Sequence, residues 1–475
     1  MKNAYKKLGA NMLLFAISSF GTKIIGFLLV PLYTNCLSME EYGTVDMLYT
    51  IVQLAIPIFS VDIADGVIRF VLDKHNKDTS ILLIAIKVIS FGSLALLLLM
   101  FGFRAINLVV LQDKFYVFIF VNFLLTSLYN TFVNYLKGKE RIKNLVIAGL
   151  MCSLLNAGCN ILFLIKFGMG VDGYLMAHLI AIAVPMLYLF TSTWFYGYLN
   201  FKDVGADRDL EKRMLLYSAP LILNGLAWWA NNSLDRLFVI FICGVSANGL
   251  LAVAYKIPSI MSMIQTIFNQ AWSLSAIQEF DPEDRNGFMG YIYSYYGCAM
   301  TLSSSAILLI NVLLAKLLYA NDFFAAWQYT GMLIIAHLFG GLSVCLSGVF
   351  NAVKDTRTLA VTTMIGGLIN AILNALFIPV LGVLGAVIAT MVSNLVVWIC
   401  RMRKVRSYIK IRINIKRDAI SYILIVIQCL VGLSANHMYA VQLTICALII
   451  ILYKEEEILI LTHAVKKMKS LRRSY

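Results

Sequence analysis

The chain has 475 residues, of which 60% are hydrophobic and only 13% charged, and its mean hydropathy is +0.82. A soluble domain has about 25% charged residues, so this composition excludes a soluble enzyme and indicates an integral membrane protein. The nine cysteines are scattered without C-x-x-C or Cys/His spacing, and no haem, phosphate-loop or nucleophile-elbow pattern appears. The sequence therefore predicts no metal and no cofactor.

Apolar runs of about 20 residues, separated by charged clusters, predict fourteen transmembrane helices and no soluble domain. The first run follows "MKNAYKK", which imitates the charged start of a signal peptide, but no small-residue cleavage site follows it, so we expect an uncleaved helix. The predicted spans are 8–32, 44–65, 81–103, 115–136, 144–165, 173–196, 214–242, 248–270, 287–314, 327–350, 358–379, 383–400, 418–435 and 439–461.

Positive charge is distributed unevenly between the two sides of these spans. Most of the 39 Lys and Arg lie at the N-terminus, in the even-numbered connections and in the C-terminal tail, whereas the odd-numbered connections carry 4. The positive-inside rule then places both termini in the cytoplasm. The net charge of +14 is explained by this topology and by attraction to anionic lipids, without nucleic acid.

Two pairs of segments indicate an internal repeat. "EYGTVDMLYT" (41–50) aligns with "ANGLLAVAYK" (247–256), and "NAGCNILFLIKFG" (156–168) aligns with "NAILNALFIPVLG" (370–382). The two segments of each pair are separated by a similar number of residues, and the matched residues include glycine, asparagine and tyrosine. A duplicated helical bundle is the simplest account.

The repeat predicts three parts: a six-helix bundle at 1–205, a second at 206–405, and two extra helices with a basic tail at 406–475. Because each half has an even number of spans, both cross the bilayer in the same direction. This is a parallel repeat, an arrangement found in alternating-access transporters with the substrate site between the halves.

Cations inside the predicted spans are the main candidates for a substrate site. Lys23, Arg236 and Lys256 would each cost roughly 2.5–3.5 kcal/mol if they faced lipid at mid-membrane, so we expect them to face water or polar partners. Two interpretations remain open for them: the wall of a wet cavity, or a structural network of hydrogen bonds and ion pairs.

The seventh span carries a polar stripe. Asn224, Trp228, Asn231 and Asp235 recur at steps of 4, 3 and 4, which places them on one helix face. Arg236 follows Asp235 but points about 100° away from it, so we expect the two side chains to bind different partners. The second span offers Asp46, Tyr49, Gln53 and Ser60.

Other polar residues favour structural roles. Asp65 and Arg69 have the spacing of a helical salt bridge, and two asparagine pairs should bond neighbouring helices. His178 and His337 are either proton relays or packing residues. Cys36 and Cys243 fall near the outer ends of their spans, where a disulfide is conceivable. The asparagine pairs are Asn156 with Asn160 and Asn370 with Asn374.

The segments "SLDRLFVIFICGVSANGLLAVAYKI" and "DGVIRF" resemble those of bacterial polysaccharide transporters, the oligosaccharide flippases of Wzx type. That family belongs to the MOP superfamily together with the MATE exporters and the lipid II flippases. The resemblance spans the whole chain and implies an all-α membrane protein with two six-helix bundles in a V shape plus two C-terminal helices. It implies a function without enzymatic chemistry: moving undecaprenyl-diphosphate-linked oligosaccharide, as for O-antigen, to the outer leaflet of the bacterial cytoplasmic membrane by alternating access.

On this resemblance we expect a monomer that binds the diphosphate and inner sugars with Lys23, Arg236 and Lys256, aided by Asn231 and Tyr255. Protons or Na⁺ are the candidate coupling ions. The candidate coupling carboxylates are Asp235, Asp62 and Asp65.

Two alternatives remain. A MATE-like cation-coupled drug antiporter shares the superfamily, but an exporter of cationic drugs needs carboxylates in the membrane, whereas cations outnumber carboxylates near the midplane here. A membrane-embedded glycan polymerase or ligase would need a large outer loop, and the longest predicted outer connections have only about a dozen residues.

Overall fold

The computed structural model describes residues 21–73, 78–105, 112–198, 207–411, 413–434 and 438–454. Within these ranges the chain is helical and contains no strand, so the predicted all-α class is confirmed. The first thirteen residues of the predicted span 8–32 and the basic C-terminal tail lie outside the described residues. The chain divides into two compact units, Met1–Ile240 and Phe241–Tyr475, which we describe separately.

The first unit begins, within the described residues, with a helical stretch at 21–28. Its helices are α1 (Val30–Cys36), α2 (Met39–Phe59), α3 (Ile63–Val71), α4 (Asp78–Ala105), α5 (Asp113–Gly138), α6 (Ile142–Asn160, continued by a π-helical turn Ile161–Lys166), α7 (Gly170–Phe195) and α8 (Arg208–Cys243), the last of which ends just beyond the boundary.

The second unit continues with α9 (Val245–Ala254), α10 (Ser259–Gln278), α11 (Phe288–Leu309), α12 (Asn311–Leu318), a 3₁₀ turn (Asn321–Ala326), α13 (Trp327–Ala352), α14 (Thr356–Leu381), α15 (Val383–Val405), α16 (Ile415–Gly432) and α17 (Tyr439–Leu452). Among its long apolar helices α13 is the most buried, and it packs against α10, α11 and α15.

Nine helices in the described part of the chain are long and apolar enough to cross a membrane, and a bent pair makes a tenth. The protein is therefore a multi-pass membrane protein. The number of fourteen spans and the parallel repeat stay predictions, as does the division at 205 and 405. The nine are Met39–Phe59, Thr79–Arg104, Asp113–Gly138, Ile142–Lys166, Gly170–Phe195, Phe288–Leu318, Asn321–Ala352, Thr356–Leu381 and Val383–Val405.

Local sequence explains where key helices begin and bend. Ser38 and Glu41 form a capping box, in which each side chain accepts a hydrogen bond from the other residue's backbone N–H, and this starts α2. In the predicted span 248–270 the helix breaks after α9, and α10 resumes at a bend of 52°. Pro258 accounts for the break, because proline lacks the N–H that would continue the helical hydrogen bonds.

Two apolar clusters hold the first unit together. One includes residues of every helix from α3 through α8, with Ile63, Phe132 and Leu210 fully or almost fully buried. The other joins α2, α4, α5 and α7 around Leu48 and Phe123. Since both clusters include α4 and α5, these two helices form the frame against which α2, α3 and α8 are placed.

Candidate functional site

Arg236 forms an ion pair with Asp46 of α2. Its Nη1 atom donates to Oδ1 of Asp46 at 2.7 Å, and the two side chains retain 25% and 14% of their accessible surface. The neighbouring Asp235 is buried, and its carboxylate accepts a hydrogen bond from the backbone N–H of Arg236. The prediction that these adjacent side chains point to different surroundings is thus confirmed for the guanidinium.

Helix α8 runs antiparallel to α2 and continues past it to α3 and α4. Nε1 of Trp229 donates to the carbonyl oxygen of Thr50 at 3.0 Å. Further along, a Cβ at Gly225 would lie 2.7 Å from Cβ of Pro57 and 3.2 Å from Oδ2 of Asp62. The absence of a side chain at Gly225 therefore lets α8 approach the end of α2 closely.

The contacts of α8 continue toward its N-terminus. A Cβ at Gly66 of α3 would overlap Oγ of Ser218, so these two helices also touch. Lys87 of α4 forms an ion pair with Glu211 at 2.8 Å. Lys87 lies inside a predicted span, and this ion pair neutralises its charge. Glu211 lies near the N-terminus of α8, where residues of the first apolar cluster are also found.

The polar stripe of α8 is divided between exposed and buried residues. Asn224, Trp228 and Asn231 are exposed, whereas Asp235 at the end of the stripe is buried. Although α8 has 36 residues, its polar side chains keep it below the hydropathy of the nine apolar helices. This polar character is what sets α8 apart from the other long helices of its unit.

The other predicted substrate residues lie in different environments. Lys23 is exposed on the helical stretch 21–28. Tyr255 and Lys256 are half-buried at the break between α9 and α10, so a cation sits where the helix is unwound. Discontinuous helices are a common feature of transporter binding sites, since unwound backbone offers polar groups within the membrane.

A tyrosine matched by the repeat contacts a histidine in each unit. The ring of Tyr49 lies 4.5 Å from that of His178, and the ring of Tyr255 lies 6.4 Å from that of His337. Nδ1 of His337 is also 2.8 Å from the carbonyl oxygen of Leu333. These contacts favour the packing interpretation of both histidines over the proton relay.

The candidate carboxylates Asp62 and Asp65 line one pocket of about 230 Å³ between the end of α2, the start of α3, and α5. Val61 and Asp62 both have positive φ, 55° and 50°. This left-handed conformation is unfavourable for a β-branched residue such as valine, so the turn is strained. Asp62 follows the apolar span that ends at Phe59, and burial, followed by the charge of Asp65, raises its pKa to about 6.

The side chain of Asn134 of α5 donates hydrogen bonds to α3 at the edge of this pocket. Its Nδ2 donates to the carbonyl oxygen of Ala64 at 2.9 Å and to Oδ1 of Asp65 at 3.1 Å. The ion pair predicted between Asp65 and Arg69 is wrong, because α5 presents an amide to Asp65 and the described contacts include no bond between Asp65 and Arg69. Tertiary packing has replaced a local helical pair.

The asparagine pairs bond mainly along their own helices. Nδ2 of Asn160 donates to Oδ1 of Asn156 at 3.0 Å, and Nδ2 of Asn374 donates to Oδ1 of Asn370 at 2.9 Å. Asn370 also reaches Thr390 of the next helix, at 3.4 Å. The expectation of bonds between helices holds for Asn370 and for Asn156, whose side chain bonds to Tyr33 of α1. The same internal bond occurs in both segments of the predicted repeat.

Arg401 is a buried polar residue that the sequence does not identify. The predicted span 383–400 stops just before it, but α15 extends beyond it, and the residue is 9% exposed. Its guanidinium donates to Thr362, Thr363 and Ser343 of two neighbouring helices. The disulfide conceivable between Cys36 and Cys243 stays a prediction, because the two residues belong to different units.

Solved structures with a similar fold are transporters. The fold resembles the lipid II flippase MurJ in an inward closed conformation, with a TM-score of 0.71 and 15% identity over 93% of this chain and 99% of that one. It also resembles an inward-facing multidrug resistance MATE family transporter of the MOP superfamily (TM-score 0.57, 15% identity, 83% and 98% covered). A third is a MOP superfamily transporter from Pyrococcus furiosus that is described as having a binding pocket of reverse polarity (TM-score 0.57, 14% identity, 84% and 96% covered).

These similarities define the class of fold: the chain is folded like this flippase and these transporters. Over residues 8–278, more than half its length, it also matches the family described as polysaccharide biosynthesis protein. The chain belongs to that family, and the resemblance inferred from its sequence is confirmed. Comparison with curated proteins gives no match.

Proposed function

We propose that the protein is a flippase that moves undecaprenyl-diphosphate-linked oligosaccharide across the bacterial cytoplasmic membrane. The family to which the chain belongs supports a role in polysaccharide biosynthesis, and the similarity to the lipid II flippase MurJ supports a lipid-linked substrate. A diphosphate bearing sugars cannot cross hydrocarbon unaided, because transferring its charge out of water is very costly. The protein supplies polar and cationic contacts for this head group.

The ion pair between Arg236 and Asp46 is the observation that carries the proposal. A guanidinium has five N–H donors, and its planar fork matches the oxygens of a phosphate. The pair is only partly buried, so an anion from solution has access to it. We propose that the diphosphate displaces Asp46 from Arg236 and that Asp46 returns when the substrate leaves.

This exchange solves an energetic problem of the empty transporter. A lone arginine inside a membrane protein is costly, whereas a paired one is neutral overall. Asp46 therefore keeps the cation in place between transport cycles. In the same proposal Lys23 and Lys256, with Asn231 and Tyr255, provide further contacts to the head group. The substrate crosses the membrane by alternating access.

The remaining features of the proposal concern energy and orientation. Protons or Na⁺ drive the cycle through Asp235, Asp62 or Asp65, and the protein works as a monomer. Both termini lie in the cytoplasm, since the basic connections fall on that side by the positive-inside rule.

Flipping measured in proteoliposomes tests the function. A fluorescent undecaprenyl-diphosphate oligosaccharide is incorporated, and the fraction that moves between leaflets is followed by quenching from outside. We expect flipping by the wild type, and a loss of about tenfold or more in Arg236→Gln, because one charge-assisted bond contributes roughly 1.5–3 kcal/mol. Lys23→Gln and Lys256→Gln should also flip more slowly.

Arg213→Gln is the matched control, because Arg213 lies on the same helix in an exposed pair with Asp209. It should flip at the wild-type rate. Absence of flipping by the wild type would overturn the function, and wild-type rates in all three cation variants would overturn the site. Export of cationic dyes without lipid flipping would instead identify a MATE-like antiporter.

A further inference from the structure

The pocket beside the strained turn at Val61 and Asp62 offers mainly hydrogen-bond acceptors. Carboxylates accept only, and Asp62 and Asp65 supply two of them. The hydroxyl of Ser60 already donates to the carbonyl oxygen of Ile56 at 2.7 Å, so its oxygen faces the pocket as an acceptor. Both hydrogens of the Asn134 amide are likewise used, by Ala64 and Asp65.

Ser127 of α5 provides an independent indication of a ligand. It lines the same pocket, it is 2% exposed, and its Oγ atom has no hydrogen-bond partner within the described residues. Leaving a buried hydroxyl without a partner costs about 1–3 kcal/mol, so a polar ligand or a water in the pocket would stabilise it. Its helix also presents Asn130 one turn further on.

The electrostatics of the pocket favour a positive ligand. Within the described residues the carboxylate of Asp62 has no ion pair or hydrogen bond, and its ionisable neighbour is another carboxylate, Asp65. The positions that face it from α2 and α5 are neutral serines and asparagines, and α8 approaches with Gly225. Asp62 is half-buried and Asp65 beside it is exposed; the two like charges repel each other, and a cation between them removes the repulsion.

We propose that this pocket binds a small, hard monovalent cation, Na⁺, through oxygens of Asp62, Asp65, Ser127 and Asn130. Oxygen ligands select hard cations over zinc or copper, and no group of three or more His, Cys, Asp or Glu suited to a transition metal occurs in the described part of the chain. Since a water occupies about 30 Å³, the volume of 230 Å³ holds the ion with several waters. Over the whole pocket lining, the neutral side chains that carry an oxygen, Ser60, Ser127, Asn130 and Asn134, outnumber the carboxylates, which suits a single charge.

This cation would connect three elements of the first unit. It would join the start of α3 to α5, and Asp62 lies against Gly225 of α8, the helix that carries Arg236. The inference deepens the proposed function, in which Asp62 and Asp65 are candidate coupling carboxylates and Na⁺ a candidate coupling ion; its test is separate, because binding is measured without a transported substrate.

Na⁺ binding to the purified full chain in nanodiscs tests the proposal. The protein is titrated with NaCl in a choline chloride background at constant ionic strength, with heat of binding and thermal stabilisation as readouts. We expect saturable binding by the wild type, about tenfold weaker binding by Ser127→Ala, equivalent to the loss of one ligand at about 1.4 kcal/mol, and none by Asp62→Asn.

Ser93→Ala is the matched control, because Ser93 is a buried serine of α4 whose hydroxyl bonds within its own helix, outside the pocket. It should bind Na⁺ like the wild type. The proposal is overturned if the wild type does not respond to Na⁺, if Ser127→Ala and Asp62→Asn bind normally, or if Mg²⁺ binds in preference to Na⁺. Failure of the flipping assay with intact Na⁺ binding would overturn the proposed function alone.

Discussion

Nη1 of Arg236 lies 2.7 Å from Oδ1 of Asp46, joining α8 to α2 in the first unit. Each residue offsets the cost of the other's charge in a partly buried position. The pair joins two helices, and the Arg236 side chain retains 25% of its accessible surface, which is where the proposed function places the anionic head group. The predictions below test this pair, the helix contacts around it and the pocket next to α8.

The coupling between Arg236 and Asp46 should be measurable in a double-mutant cycle. We expect Arg236→Gln and Asp46→Asn to be coupled by about 1–2 kcal/mol, between the values for exposed and fully buried pairs. Unfolding in detergent gives the free energies. The exposed pair of Arg213 and Asp209 on the same helix should show about 0.3–0.5 kcal/mol, and equal coupling in both pairs would contradict our interpretation.

Trp229→Phe tests the contact between α8 and α2 at a second point. The change keeps an aromatic ring but removes the bond from Nε1 to the carbonyl oxygen of Thr50. The free energy of unfolding should fall by about 0.5–1.5 kcal/mol. Trp194→Phe, at a residue that is 61% exposed, serves as the control and should change it little. Equal stability of the two variants would show that the Thr50 bond contributes nothing.

Gly92→Ala should disturb the end of α2 next to the cation pocket. A Cβ at Gly92 of α4 would overlap the carbonyl oxygen of Phe59, and a backbone atom cannot move aside as a side chain can. We expect a loss of about 1–3 kcal/mol in unfolding free energy, as for overpacking.

Gly158→Ala in α6 provides the comparison for Gly92→Ala, because no heavy atom lies within 4 Å of its Cβ position. That variant should be neutral or more stable by up to about 1 kcal/mol, since alanine favours the helix. A Gly92→Ala protein as stable as Gly158→Ala would contradict the close approach of α4 to α2.

Na⁺ affinity should depend on pH through Asp62. Burial and, to a smaller extent, the charge of Asp65 raise its pKa to about 6. Below that pH the carboxyl group is protonated and no longer balances a cation. The affinity should therefore be full above about pH 7 and fall about tenfold for each pH unit below 6. Calorimetric titrations across this range check the slope, and a flat profile in the wild type would refute the role of Asp62.

Much of the fold followed from hydropathy, because each apolar helix must hide its backbone polar groups from lipid. Hydropathy fails at Arg401, because the arginine follows an apolar run and so lies outside the predicted span 383–400. Helix α15 continues past it, and three neutral oxygens from neighbouring helices receive its donors. Hydropathy locates the apolar part of a helix but does not show where a polar residue finds buried partners.

The pocket residues on α5 have a helical spacing in the sequence that indicates a polar face. Ser127, Asn130 and Asn134 recur at steps of 3 and 4, which places them on one face of the helix. Asp62 and Asp65 were identified as candidates, but their meeting with α5 depends on packing between segments about 65 residues apart. The spacing of residues in the sequence predicts which of them share a helix face, but only the tertiary structure shows which residues of other helices that face contacts.

The affinity of wild type, Arg236→Gln and Asp46→Asn for undecaprenyl diphosphate in nanodiscs tests the central claim most directly. If the diphosphate competes with Asp46 for the guanidinium, Arg236→Gln should bind about tenfold or more weakly, whereas Asp46→Asn should bind at least as tightly as the wild type. Equal weakening in both variants would show that the pair only holds two helices together, and unchanged affinity in Arg236→Gln would exclude it from the substrate site.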